Sequence, residues 1–124
     1  MKTVLVDTDV LIDFLRGRER AREFLVSLAG DADIICSAIT VAEIHAGMKE
    51  QERLKTDELL DSLTIIDVTR EIAEKAGAYR RTIRSHALEL DDCLIAATSY
   101  LKRAPLATGN AKPYPMSDIE KQVV

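Results

Sequence analysis

Three carboxylates in this chain stand where alternating strands and helices would present them together. Asp7 directly follows the apolar run Thr3-Val4-Leu5-Val6, Glu43 lies among Val41, Ala42 and Ile44, and Asp92 precedes Cys93-Leu94-Ile95-Ala96-Ala97. Each has a plain structural reading. Asp7 caps the helix that follows, although Asp9 fits that task and leaves Asp7 without one. Glu43 pairs with Thr40 at capping-box spacing. Either Asp91 or Asp92 caps the apolar helix. As a set, three acids at the openings of elements in one sheet point to a site for hard divalent cations. Magnesium and manganese take carboxylate and water oxygens, keep several waters and share substrate phosphates. Such ions activate a water and stabilise the leaving oxygen in phosphodiester cleavage.

The elements that must position these acids follow from hydrophobic spacing and breakers. A strand over 3–6 leads to a helix over 10–16 that stops at Gly17, and a second helix over 19–29 puts Ala21, Phe24, Leu25 and Leu28 on one face. A strand over 34–36, a helix over 41–47 capped by Thr40, and a helix over about 52–61 come next. A third strand spans 63–68, and Thr69 starts a long helix with Ile72, Ala73, Ala76, Tyr79, Arg80 and Ile83 along one stripe. An apolar helix over 93–102, a strand over 105–107, a loop holding Gly109, Pro113 and Pro115, and a short fifth strand over 121–124 complete the chain. Alternation of this kind predicts a single α/β domain over 1–124, with a parallel sheet of four to five strands flanked by helices. Ligands in such folds sit beyond the carboxyl ends of the strands, where strand order reverses. Asp7 follows strand one there, and Thr108 and Asn110 follow strand four.

Composition bounds the rest. The 124 residues are 47% hydrophobic and 31% charged, an ordinary globular mix large enough for its own core. Cys36 and Cys93 lie in apolar stretches and read as buried thiols rather than a disulfide framework. Asp7, Asp9 and Asp13 interrupt the first apolar run, so it does not read as a signal peptide, and residues 93–101 are too few to span a bilayer. The expected location is the cytoplasm, with no membrane partner. A formal charge of −4 argues against a nucleic-acid partner at first sight. However, Arg16, Arg18, Arg20 and Arg22 cluster, as do Arg80, Arg81 and Arg84, and metals can carry the phosphate contact for an acidic protein. Either cluster also reads as a solvated helix face. His45 and His86 read as surface residues, and Tyr79 as core.

The blocks V-D-T-D-V-L-I-D-F-L-R-G (6–17), T-V-A-E-I (40–44), D-C-L-I-A-A-T-S (92–99) and L-A-T-G-N (106–110) resemble PIN-domain proteins, and within them the VapC-type toxins of toxin–antitoxin pairs. The resemblance implies RNA cleavage by metal-activated water with Mg2+ or Mn2+, frequent homodimers and a neutralising antitoxin. Residue by residue, it places the catalytic and metal-binding acids on Asp7, Glu43 and Asp92. A fourth position, acid or amide in the family, falls on Asn110, and Thr8 and Thr108 match hydroxyl positions beside the site. The chain departs from the family in two places. Asn110 brings no charge, which implies weaker hold on a second metal, and only Ser-His-Ala-Leu-Glu-Leu-Asp separates Arg84 from Asp92.

Other readings compete. Asp7-Thr8-Asp9-Val10 also matches the D-x-D-x-[TV] opening of haloacid-dehalogenase-like phosphatases, with Ser37 a loose second motif. That reading lacks paired acids after a later strand and leaves Glu43 unused. A receiver domain would explain Lys112-Pro113 but needs an acceptor aspartate after strand three, and Asp67 is poorly placed. A non-catalytic PIN-fold binding module would have a degraded acid set, whereas here only position 110 is an amide.

Overall fold

The computed structural model describes residues 2–84 and 88–124. The chain runs β1 (Lys2–Val6), α1 (Thr8–Leu15), α2 (Glu19–Leu28), β2 (Ala32–Ser37), α3 (Ala38–Gly47), a 3-10 turn (Glu50–Glu52), α4 (Arg53–Asp61) and β3 (Thr64–Ile66). It continues through α5 (Arg70–Thr82), α6 (Leu90–Lys102), β4 (Leu106–Thr108) and β5 (Lys121–Val123). The strands form one parallel sheet in the order β3-β2-β1-β4-β5. The predicted α/β class and the fifth strand are both present.

Strand alternation divides the core into two layers. Leu5, Ile35 and Leu106 point to one face, where α5 and α6 supply Ile72, Ala76, Tyr79, Ile95 and Ala96. Val4, Val6, Cys36 and Ala107 point to the other, against Val10, Leu11, Leu25, Leu28 and Leu60 of α1, α2 and α4. Both faces of the three central strands are thus buried, which is why their sequences read as continuous apolar runs. Cys36 and Cys93 are free and buried. Among the described residues no helix is long and apolar enough to cross a membrane.

The chain moves outward from β1 to β2 and β3, then returns to place β4 on the other side of β1. The order therefore reverses between β1 and β4, whose carboxyl ends carry Asp7 and Thr108. Parallel-sheet proteins hold ligands at this kind of crevice.

Several expected boundaries move for local reasons. Helix α3 starts at Ala38, not residue 41, because the Ser37 hydroxyl accepts the Ile39 N–H at 3.0 Å and caps it. Thr40 is therefore not a cap, and its pairing with Glu43 in a capping box does not form. Helix α6 starts at Leu90 with Glu89 at the cap position, so neither Asp91 nor Asp92 caps it. The third strand keeps only Thr64–Ile66 of the expected 63–68, as an edge strand paired on one side. On α5 the buried stripe is Ile72, Ala76 and Tyr79, with Ala73 and Arg80 exposed.

Candidate active site

Asp7 is the N-cap of α1, and its Oδ1 accepts the Thr8 N–H at 2.8 Å. Asp9 does not take that role. The cap is only part of what Asp7 does. Its Oδ2 accepts the hydroxyl of Thr108, at 2.8 Å from the end of β4, and that of Tyr114, at 2.9 Å from the loop beyond. With 7% of its surface exposed, Asp7 is buried, and both of its carboxylate oxygens are engaged. Burial pushes its pKa above the usual aspartate range, the donors Thr108, Tyr114 and Thr8 pull it back, and Glu43 pushes it up again.

Glu43 reaches the same place from α3. The Thr8 hydroxyl lies 2.6 Å from Glu43 Oε1 and 2.9 Å from Thr40 Oγ1. A hydroxyl has one proton to give, so Thr8 donates to the carboxylate and accepts from Thr40. Thr40 is fully buried, and the apolar neighbours of Glu43 do not drag the acid into the core: the hydroxyl pair turns it towards Asp7's end of the sheet.

Asp92 comes from the first turn of α6, where the partial positive charge of the helix start favours a carboxylate. Its pKa is nevertheless pushed up to about 6, first by burial and then by the charges of Asp7 and Glu43, with Asp91 and Glu89 adding to them. Asp7 and Glu43 both bond to Thr8, the first through its N–H and the second through its hydroxyl, and Asp92 stands close enough to be pushed up by both charges. Asp7, Glu43 and Asp92 are thus brought into one electrostatic cluster from three different elements.

Thr8 and Thr108 hold two of the acids. Thr108 gives its proton to Asp7 and accepts the Asn110 N–H at 3.2 Å. Asn110 itself is exposed, and its side-chain oxygen accepts the Lys112 N–H at 3.1 Å, closing its own turn. Tyr114 had no sequence signal beyond an aromatic flanked by Pro113 and Pro115, yet only 2% of it is exposed and it touches the central acid. His45 faces Asp57 across 3.7 Å at the surface, and His86 lies outside the described residues. Tyr79 is core, its hydroxyl donating to Asp118 at 2.7 Å. The two arginine clusters are exposed.

The donors at this edge are carboxylates and hydroxyls, an all-oxygen set that suits a hard divalent cation. Among the described residues no three acidic, thiol or imidazole side chains are gathered into a ready-made metal cage. A cation that keeps several waters needs one or two carboxylates directly and the rest through water, so the cluster fits such an ion.

Residues 4–118 match the PIN domain, and the chain belongs to that family. It is 43% identical over 115 residues to the ribonuclease VapC10 of Mycobacterium tuberculosis, covering 91% of this chain and 86% of that one. It also superimposes on a chain of a toxin–antitoxin complex from Klebsiella pneumoniae, with a TM-score of 0.79 at 32% identity over 94% of each chain. VapBC2 from Rickettsia felis, solved bound to a DNA fragment from its promoter, gives a TM-score of 0.87 at 24% identity over 98% of each chain, a likeness of fold.

Proposed function

We propose that the chain is a ribonuclease that uses magnesium or manganese, acting in the cytoplasm as the toxin of a toxin–antitoxin pair. The observation that carries this reading is the meeting of Asp7 and Glu43 on Thr8 at the sheet's reversal point, with Asp92 near enough to feel both charges. The ribonuclease relative and the toxin–antitoxin structure support the substrate class and an antitoxin partner. A homodimer belongs to the same reading.

In this proposal Asp7, Glu43 and Asp92 hold the cation, and Thr8 and Thr108 fix the first two acids in place. When bound, a divalent cation supplies positive charge for the scissile phosphate and lowers the pKa of water. The chain's own contribution is orientation: Asp7 is locked by three donors and Glu43 by one hydroxyl, while the buried setting strengthens every charge interaction. Asn110, its side chain spent on its own turn, adds at most a water-mediated contact.

The test is cleavage of total RNA by purified protein, with and without a chelator, beside Asp92→Asn. Cleavage that needs added Mg2+ or Mn2+ and is lost in Asp92→Asn supports the reading. RNA cleavage unchanged in Asp92→Asn at equal purity overturns it. Growth arrest on expression, relieved by the product of an adjoining short reading frame, tests the toxin role separately.

A further inference from the structure

The loop after β4 ends in a clamp. Lys121, on β5, directs its ammonium to the carbonyl oxygens of Tyr114 at 2.9 Å and Met116 at 2.8 Å. Those carbonyls bracket Pro115. Below them the Tyr114 N–H donates to the Ala111 carbonyl at 2.9 Å, and both Tyr114 and Met116 are buried in the layer formed with α5 and α6. The phenol ring is thus fixed at its backbone on both sides and along its faces, and its hydroxyl ends 2.9 Å from Asp7 Oδ2. A buried phenol could satisfy its hydroxyl on any carbonyl. Here it crosses 107 positions of sequence to meet the central acid.

We propose that Tyr114 is a positioning residue for the metal-binding carboxylate Asp7, held in register by Lys121, so that β5 is mechanically part of the site. The inference rests on the metal-site reading above and adds a role that its acids do not require. Oδ2 takes two hydroxyls, Thr108 and Tyr114, and Oδ1 takes the Thr8 N–H. With both oxygens held, the carboxylate cannot turn about its Cβ–Cγ bond, which fixes the direction of the lone pair left on Oδ1 for a cation. Partners of this kind orient ligands and typically matter ten- to a hundredfold in metal affinity or activity.

The test is Mn2+ binding to the full chain without RNA, read as free Mn2+ by electron paramagnetic resonance, beside kcat and KM on RNA. Tyr114→Phe keeps the ring and removes only the donor. The expected result is a Mn2+ Kd raised about tenfold, with kcat lowered and KM for RNA little changed. Lys121→Met, which frees the loop without touching Asp7, should shift the Kd in the same direction by less. A Tyr114→Phe protein that binds Mn2+ within about twofold of the parent, while Asp92→Asn loses binding, overturns this proposal and leaves the site reading intact. A parent protein that does not bind Mn2+ overturns both. Should Tyr114→Phe fail to fold, Lys121→Met decides: an unchanged Kd there overturns the clamp, and a raised one supports it.

Discussion

Asp9 accepts the Gly109 N–H on both carboxylate oxygens, at 3.2 and 3.1 Å, and so ties the first turn of α1 to the loop after β4. Sequence placed Asp9 as a candidate cap, which it is not: it is half-buried, and it holds the segment that carries Asn110 and Tyr114. The same contact explains the glycine. A Cβ at position 109 would lie 2.8 Å from Asp9 Oδ2, a distance that forces the carboxylate aside. Asp9 is thus committed to the backbone and is not poised as the acid–base partner that a phosphatase reading of Asp7-Thr8-Asp9 needs.

Gly109→Ala and Asp9→Ala should therefore resemble each other. Each removes one charge-assisted contact to a partly exposed N–H, at a cost of about 1 kcal/mol. The melting temperature should fall by about 4 °C for a domain of this size. RNA cleavage should drop less than in Asp92→Asn. A fully folded Asp9→Asn protein with no residual activity would instead favour direct chemistry by Asp9.

Asp92→Asn should abolish most cleavage while leaving the fold intact, since Asp92 is only half-buried and is repelled by its neighbours. Loss of one metal-holding charge should lower kcat by about a hundredfold or more. Asp7→Asn is a harsher change than its place at a strand end implied. An amide keeps one acceptor oxygen, but its NH2 group would face either the Thr8 N–H or the hydroxyls of Thr108 and Tyr114. That loss should cost about 1–3 kcal/mol in addition to activity. A thermal melt of both proteins separates the two effects, and equal melting temperatures would show that the Asp7 network contributes little to stability.

Asp7 and Asp92 were legible because each abuts an unbroken apolar run, so its place in the fold followed from the element beside it. Glu43 was found, but its surroundings were misread. The Thr-x-x-Glu spacing looks like a helix start, whereas Ser37 takes the cap and Thr40 is freed to meet Thr8 across 32 positions. Helix α6 failed in the same way, because a cap position is set by backbone geometry, and Glu89 holds it without a side-chain bond. Tyr114 was out of reach for another reason. Periodicity says nothing about a loop, and its partner lies at the other end of the chain. The alternation of strands and helices, by contrast, needed only the buried faces to be read, whereas the order β3-β2-β1-β4-β5 is visible only in the structure, because right-handed crossovers fix the hand of each connection and not which strands become neighbours.

Acid should stabilise the metal-free protein through Asp92. Its carboxyl is raised from 3.8 to about 6 in the fold, so between those values the folded state holds more protons than the unfolded one. Stability then falls as pH rises through this window, and the penalty is fully present above it. Denaturant titrations in chelator from pH 3.8 to about 6 should show that decline, and Asp92→Asn should flatten it. Stability that rises across the window in the parent but not in the variant would mean that Asp92 gains favourable partners on ionisation.

Added metal should reverse that penalty. A cation that binds only the folded state stabilises it by RT ln(1 + [L]/Kd), about 2.7 kcal/mol at a hundredfold excess over Kd. Bringing a positive charge among Asp7, Glu43 and Asp92 also relieves the repulsion that lifts the Asp92 carboxyl. Millimolar Mg2+ or Mn2+ should therefore raise the melting temperature by several degrees near neutral pH, above the raised Asp92 carboxyl. The rise should shrink well below pH 6, where Asp92 holds its proton. Ca2+ should also raise it, because it tolerates irregular oxygen geometry, yet support less cleavage than the smaller ions. Asp92→Asn should melt at or above the metal-free parent and lose most of the metal response. A variant that keeps the full response would place the cation elsewhere on the protein, and a parent indifferent to all three ions would leave the clustered acids without the partner that their charges require.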